Sequence, residues 1–174
     1  MKTTFNNPAM PPIMDIEASG FGKNSYPIEI GYVLEDGQSY CTLIQPLDDW
    51  NEWSDEVESV HGITRDVLEE YGKPPAEVAS QLNKALNGKI LYTDAWSFDS
   101  SWLSLLFYSV DIPLDFKLES IRMIISEKQT EHWHFQKDII TASTNLQRHR
   151  ASSDAFIIQQ TYAKTFHMVN DGIR

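Results

Sequence analysis

Along the first third of the chain, apolar positions recur with a period of two. Ile28, Ile30, Tyr32 and Leu34 alternate with Glu29, Gly31 and Val33, which predicts a strand over 28–34. Ile13 to Glu17 is a shorter apolar and acidic run, read as a strand ending in a turn at Ser19-Gly20. Tyr40 to Gln45 reads as the return strand, stopped by Pro46. Glu35-Asp36-Gly37-Gln38 joins strands two and three, with Asp-Gly suited to the positive φ of a type I′ turn. The opening is therefore an antiparallel meander.

The pattern then turns helical. Ser54 caps a short helix to about Val60, and Thr64 opens another that ends at Gly72 and Pro74-Pro75. Pro75 starts a third, with Val78, Leu82, Ala85 and Leu86 on one face and Gly88 as its stop. Ile90 to Thr93 predicts a buried strand, Ser100 to Tyr108 a helix, Phe116 to Leu118 a strand and Ser120 to Ser126 a helix. No element is assigned between 127 and 148. Ser152 to Val169 is a strongly amphipathic helix, with Ala155, Ile158, Tyr162, Phe166 and Val169 on one face. Three strands followed by alternating helices and strands read as one α/β domain with a mixed sheet. The expected division is a loose, proline-blocked leader over 1–12, one domain over 13–170 and a short tail over 171–174. Met10 is an alternative start.

Composition agrees with this. The chain has 174 residues, 41% hydrophobic and 22% charged, the profile of one globular domain. Its single cysteine, Cys41, excludes an internal disulfide framework and a cysteine-based zinc site. No apolar run approaches the roughly 20 residues of a membrane span. The N-terminus lacks the apolar core of a secretory signal, so the expected location is the cytoplasm, with no membrane partner.

The net charge of -11 argues against a protein that coats nucleic acid by bulk electrostatics. The excess is concentrated, however. Nine acids and one base lie between Asp48 and Glu70, which reads as a solvated helical surface. From Asp115 to the C-terminus there are seven acids and eight bases, so an anionic ligand is not excluded there.

Three short constellations carry candidate chemistry. On a strand, Asp15 and Glu17 share a face, and paired hard-oxygen ligands suit Mg²⁺ or Mn²⁺. Asp99 follows a buried strand at a loop-to-helix junction, where α/β sheets place ligands. His149 and Asp154 lie five residues apart, which is not one helical face; His149 in the loop and Asp154 in the first helical turn is the workable arrangement. Taken alone, each has a commoner reading: solvent-facing acids, a helix cap at Asp99, and a solvated histidine.

Read in order, the three pieces resemble the DEDD superfamily of 3′–5′ exonucleases, the DnaQ-like or ribonuclease T-like family, in its histidine-bearing branch. The matching residues are Asp15-Ile16-Glu17-Ala18-Ser19-Gly20, Phe98-Asp99 and His149-Arg150-Ala151-Ser152-Ser153-Asp154-Ala155. His61-Gly62-Ile63-Thr64 and Pro27-Ile28-Glu29-Ile30-Gly31 also match pieces common in that family. The resemblance runs from about Ile13 to Tyr162. It implies a ribonuclease H-like three-layer fold, a mixed five-stranded sheet flanked by helices. It implies two divalent ions, Mg²⁺ or Mn²⁺, held by Asp15, Glu17, Asp99 and Asp154, with His149 as general base. It implies single-stranded DNA or RNA 3′ ends as substrate and nucleoside 5′-monophosphates as product. The backbone at Ala18, Ser19 and Gly20 would approach the terminal sugar. Phe21, Trp96 and Phe98 would stack on bases or pack the core. Related enzymes are often homodimers.

The chain departs from the family in its short first strand after Pro11-Pro12. It also departs at Asp94-Ala95-Trp96-Ser97, where the family usually has Asn-Ala. Arg148, Arg150 and Lys117 are candidates for phosphate contact or plain surface charge. His132 and His134 would share a face on a strand but lack a third ligand. Trp50 and Trp53 read as packing or a partner surface, and His61 as structural. Two other functions compete: a catalytically weak family member serving as a binding module, and an acidic 48–70 surface that mimics nucleic acid.

Overall fold

The computed structural model describes residues 9–170. Most of the expected leader, including Met1, and the expected tail over 171–174 lie outside the described residues. Pro11 and Pro12, assigned above to the loose leader, are buried and tied down. The Pro11 carbonyl accepts from Gln159 Nε2 at 2.9 Å and the Pro12 carbonyl from Tyr92 N at 2.9 Å.

The sheet is built from β1 (Ile13–Ala18), β2 (Pro27–Val33), β3 (Ser39–Leu43), β4 (Ile90–Thr93) and β5 (Lys117–Ser120), in the order β3-β2-β1-β4-β5. The meander β1-β2-β3 is antiparallel, while β4 and β5 run parallel to β1. This is the mixed five-stranded sheet the sequence implied. The hairpin differs in detail. The Gly37 amide donates to the Leu34 carbonyl and the Leu34 amide to Gln38; Gly37, at φ 83°, is alone in the turn in having positive φ. That is a type I turn followed by a left-handed glycine, not a type I′ turn, so only glycine pays no steric cost there.

Helices cover both faces. They are α1 (Asp55–His61), α2 (Arg65–Tyr71), α3 (Pro75–Leu86), α4 (Trp96–Ser109), α5 (Glu127–Ser143) and α6 (Ala151–Asn170). Even-numbered β1 residues Met14, Ile16 and Ala18 join the larger core with Leu82 and Leu86 of α3 and Leu103 and Leu106 of α4. Ile13 and Val33 join the smaller core with Trp133 of α5 and Ala155 and Ile158 of α6. The two cores on opposite faces of the sheet make three layers. Asp15 and Glu17 share their β1 face with Ile13, so they point to the α6 side.

Local signals account for the helix ends. Ser54 and Thr64 accept from the amides of Val57 and Val67, capping α1 and α2, and Gly62 closes α1 in a left-handed conformation. The acidic 48–70 stretch is largely the exposed surface of these two helices. Helix α4 begins at Trp96, four residues before the expected start, which puts Asp99 inside its first turn and not at its cap. Ile121–Met123 is a single 3₁₀ turn, not a longer helix.

Helix α5 was not foreseen. Its buried positions Gln129, Trp133 and Gln136 carry two glutamines, so the apolar stripe that announces a helix is missing. Ser126 and Gln129 form a capping box at its start, and Gln129 Nε2 donates to Thr165 Oγ1 of α6 at 3.3 Å. The α6 face is rotated for the same reason. Ala155 and Ile158 are buried as expected, but Thr161 and Thr165 are buried in place of Tyr162 and Phe166, which are only half-buried. On a helix, His132 and His134 stand about 200° apart, which ends the shared-face reading.

Helix α6 lies directly on β2. A Cβ on Gly31 would fall 2.2 Å from the Ser152 amide nitrogen, so only glycine permits this approach. Among the described residues no helix is long and apolar enough to cross a membrane.

Candidate active site

Three carboxyl-side features of the sheet meet at one end. β1 delivers Asp15 and Glu17. β4 ends at Thr93 and hands over to Asp94 and the first turn of α4, which carries Asp99. The loop before α6 brings His149, and the first turn of α6 brings Asp154. All five expected catalytic and metal-holding residues line a single cleft of about 240 Å³. Ligands of open α/β sheets sit at such carboxyl ends.

Asp99 and Asp154 are each held in a specific way. Asp99 is 1% exposed, and its Oδ2 accepts a hydrogen bond from the Thr93 hydroxyl. That hydroxyl also accepts from the Ala95 amide at 3.1 Å, so the end of β4 fixes the start of α4. Asp154 Oδ2 accepts from the His149 amide at 3.1 Å. This folds the loop back over the helix N-terminus, and His149 takes the left-handed region at φ 57°, an uncommon conformation for a non-glycine residue. A nitrogen of His149 and carboxylate oxygens of Glu17 and Asp154 all lie within 4.8 Å of one another.

The electrostatics are those of acids crowded without enough cations. Burial, then the neighbouring carboxylates Asp99, Glu17 and Asp154, raise Asp15 well above the ordinary range. Burial and the charge of Asp154 raise Glu17 to about 7. Burial raises Asp99 to about 8 against the opposing hydrogen bond from Thr93. Asp154 is raised by burial while His149, Lys137 and Arg148 pull it down. Like charges placed together and away from water hold their protons. The donor set is hard oxygen, and a divalent cation is the ligand that would let all of these groups ionise. The residues therefore fit a divalent metal site.

The expected substrate-binding residues divide. Ala18, Gly20, Phe21 and Phe98 line the cleft. Phe21 and Phe98 meet edge to face at a 5.4 Å centroid distance and remain 67% and 45% exposed. Phe98 in turn stacks on Trp102 at 5.6 Å. Ser19 does not line the cleft. It is buried, accepts from the Tyr26 amide and donates to Glu52 Oε2 at 2.8 Å, so it braces the loop behind the site. Glu52 also crowds Gly20, where a Cβ would fall 2.6 Å from Glu52 Oε1. Trp96 also stays outside the cleft, its indole nitrogen donating to the Leu118 carbonyl at 2.9 Å.

Among the basic candidates, Arg148 lines the cleft, Arg150 is committed to Glu29, and Lys117 lies on the edge strand β5 away from it. Trp50 stacks on Tyr26 at 5.1 Å, and Trp53 donates to Glu58 at 2.7 Å beneath the Arg65 guanidinium, so both pack within the fold. Buried His61 accepts from the Ile63 amide at Nδ1, also a structural role.

Sequence reasoning missed four residues that shape the site. Thr93 and Glu29 stood in segments already read as strands. Asp94 stood at the head of the segment that ends in Asp99 and as a departure from a family pattern, with no role of its own. Lys137, which lines the cleft and pairs with Asp94 at 2.5 Å, lies on the helix whose polar buried face hid it.

No family model and no curated protein matches the chain. Solved structures do. Zinc-bound E. coli exonuclease I in complex with single-stranded DNA superposes with a TM-score of 0.70 at 14% identity, over 92% of this chain and 40% of that one. S. pombe Pop2p in a Mg²⁺- and Mn²⁺-bound form superposes at 0.66 and 16% identity, over 95% of this chain and 86% of that one. Exonuclease I from Methylocaldum szegediense gives 0.67 at 14% identity, with 92% and 40% covered. The chain thus spans about 40% of the length of the exonuclease I proteins. The chain shares the fold of these structures, a ribonuclease H-like α/β fold built on a mixed five-stranded sheet.

Proposed function

We propose that the protein is a divalent-metal-dependent 3′–5′ exonuclease acting on single-stranded nucleic-acid ends. The observation that carries this reading is convergence. Asp15, Glu17, Asp99, His149 and Asp154 come from three distant parts of the chain and line one cleft, in the fold shared with exonuclease I and Pop2p. One E. coli exonuclease I structure holds single-stranded DNA and another a dT13 oligonucleotide, and the Pop2p structure holds Mg²⁺ and Mn²⁺, which supports a single-strand substrate and a divalent cofactor here.

Asp15, Glu17, Asp99 and Asp154 would hold the ions. When bound, two such ions lower the pKa of water and offset charge on the phosphate and the leaving oxygen. The protein's own residues do the rest. Ala18 and Gly20 form the wall against the terminal sugar, and Phe21 with Phe98 offers an aromatic face to a base. Water attacks the phosphorus of the last phosphodiester, and the imidazole of His149 takes its proton. The bond from phosphorus to the 3′ oxygen of the preceding nucleotide breaks, that oxygen takes up a proton, and a nucleoside 5′-monophosphate leaves. The Asp154 carboxylate, through the His149 amide, holds the loop in the position this transfer needs.

The test is a nuclease assay on 3′- or 5′-labelled single-stranded DNA and RNA with Mg²⁺ or Mn²⁺. Shortening one nucleotide at a time from the 3′ end, abolished by EDTA, Asp15→Asn and His149→Ala, is the expected result. No cleavage of either polymer by folded protein with metal present would sink the reading and favour a binding module.

A further inference from the structure

Lys137 extends from α5 into the cleft, where its Nζ stands 2.5 Å from Asp94 Oδ2. The two side chains are 29% and 19% exposed, so the pair is partly withdrawn from water but not sealed. It shares that cleft with Asp99 at the start of α4 and Asp154 at the start of α6. Of the other bases near the cleft, Arg150 is committed to Glu29, which leaves Lys137 and Arg148 facing in.

The partner of Lys137 is costly. Asp94 adds a fifth carboxylate to the cleft, and its charge raises both Asp15 and Asp99. A brace between α5 and the β4–α4 turn would need no charge there. An ammonium on a flexible four-carbon stem, unlike a planar guanidinium, exchanges one oxygen partner for another with little geometric demand.

We propose that Lys137 binds the scissile phosphate: Asp94 holds the ammonium group until a strand end enters, and a non-bridging phosphate oxygen then replaces the Asp94 carboxylate. This rests on the nuclease reading and adds to it a cation outside the five catalytic positions. It also explains how a strongly acidic chain presents a positive group to an anionic backbone.

The experiment is a calorimetric titration of the full chain with a nucleoside 5′-monophosphate at saturating Mn²⁺, with the phosphate-free nucleoside as control. Lys137→Met is expected to weaken the monophosphate about 10- to 100-fold, the scale of a hydrogen bond to a charged group. The nucleoside should be unaffected, and Lys137→Arg should restore part of the loss. Asp94→Asn should bind the monophosphate more tightly than wild type, because the competing carboxylate is gone. Thermal unfolding confirms that each variant is folded, and Lys137→Arg and Asp94→Asn keep the test decisive if the methionine variant is not. Equal binding by Lys137→Met and wild type overturns the proposal, as does equal weakening by Lys137→Met and Asp94→Asn, the signature of a structural brace. If wild type shortens nucleic acid while Lys137→Met does so equally well, this proposal alone falls. If wild type neither cleaves nor binds the monophosphate, the nuclease reading falls with it.

Discussion

Glu29 and Arg150 form a two-pronged ion pair between the middle of the sheet and the loop before the last helix. Arg150 Nε donates to both Glu29 oxygens at 3.0 and 3.1 Å, and Nη2 donates to Oε1 at 2.5 Å. The Ala151 amide at the start of α6 donates to the same carboxylate at 2.8 Å. Glu29 is 0% exposed and is the register partner of Glu17 on the neighbouring strand. The residue before Arg150 is His149, so this pair ties the imidazole-bearing loop to the strand beside the one that carries Asp15 and Glu17.

Glu29→Ala is expected to destabilise the protein by about 3 kcal/mol, the lower end for breaking a buried pair, since Arg150 retains access to water. Activity of the folded variant should fall as well, because the loop carrying His149 loses its anchor. Denaturant unfolding and a single-strand shortening assay check both parts. An unchanged unfolding midpoint would refute the anchoring role.

Asp99→Asn should separate function from stability. The amide oxygen still accepts from Thr93, while one of the mutually repelling buried charges is removed. Without metal at pH 8.5, its melting temperature should exceed that of wild type by about 2–4 °C, the shift expected for 1 kcal/mol in a chain of this size. Nuclease activity should drop at least about a hundredfold, as when a charge-stabilising group is lost from an active site. A metal-free variant less stable than wild type at that pH would contradict the crowding of acids.

The same crowding sets a pH dependence. Glu17 is raised to about 7 and Asp99 to about 8, above the values near 4 of an unfolded chain. The folded state therefore keeps protons that the unfolded state releases. Their contribution to stability is fully present below about pH 4 and is lost as pH rises through 7 and 8. Metal-free protein should melt at progressively lower temperature from pH 6 to pH 8.5, and the stabilisation by saturating Mn²⁺ should grow over the same range. Thermal scans with EDTA and with Mn²⁺ measure both. A metal-free melting temperature that holds steady or climbs over this range would be the contrary result.

Phe21→Ala removes an aromatic face that is 67% exposed, so stability should change little. Stacking on a base is worth about 1–3 kcal/mol in single-strand binding, and KM for a labelled oligonucleotide should rise accordingly. Phe98→Ala should raise KM too, with a larger stability loss because Phe98 stacks on Trp102. An unaltered KM in both variants would assign the rings to packing alone.

The sequence by itself determined the order of the strands along the chain and the caps of α1 and α2, and its motifs singled out the five residues of the candidate site. These are local properties. A period of two places Asp15 and Glu17 on one face, Ser54 and Thr64 cap because their hydroxyls meet nearby amides, and short motifs carry the site residues in order. Tertiary structure decided what depends on contacts between distant segments. Helix α5 is invisible to hydrophobic periodicity because two of its three buried positions, beside Trp133, are the glutamines Gln129 and Gln136. Its Lys137 acquires a role only where the fold brings it against Asp94. Ser19 and Trp96 stand next to site residues in sequence, yet Glu52 and the Leu118 carbonyl draw their side chains out of the cleft. Arg150 sits beside His149 but faces the sheet, where its guanidinium offsets the charge of Glu29, buried on β2.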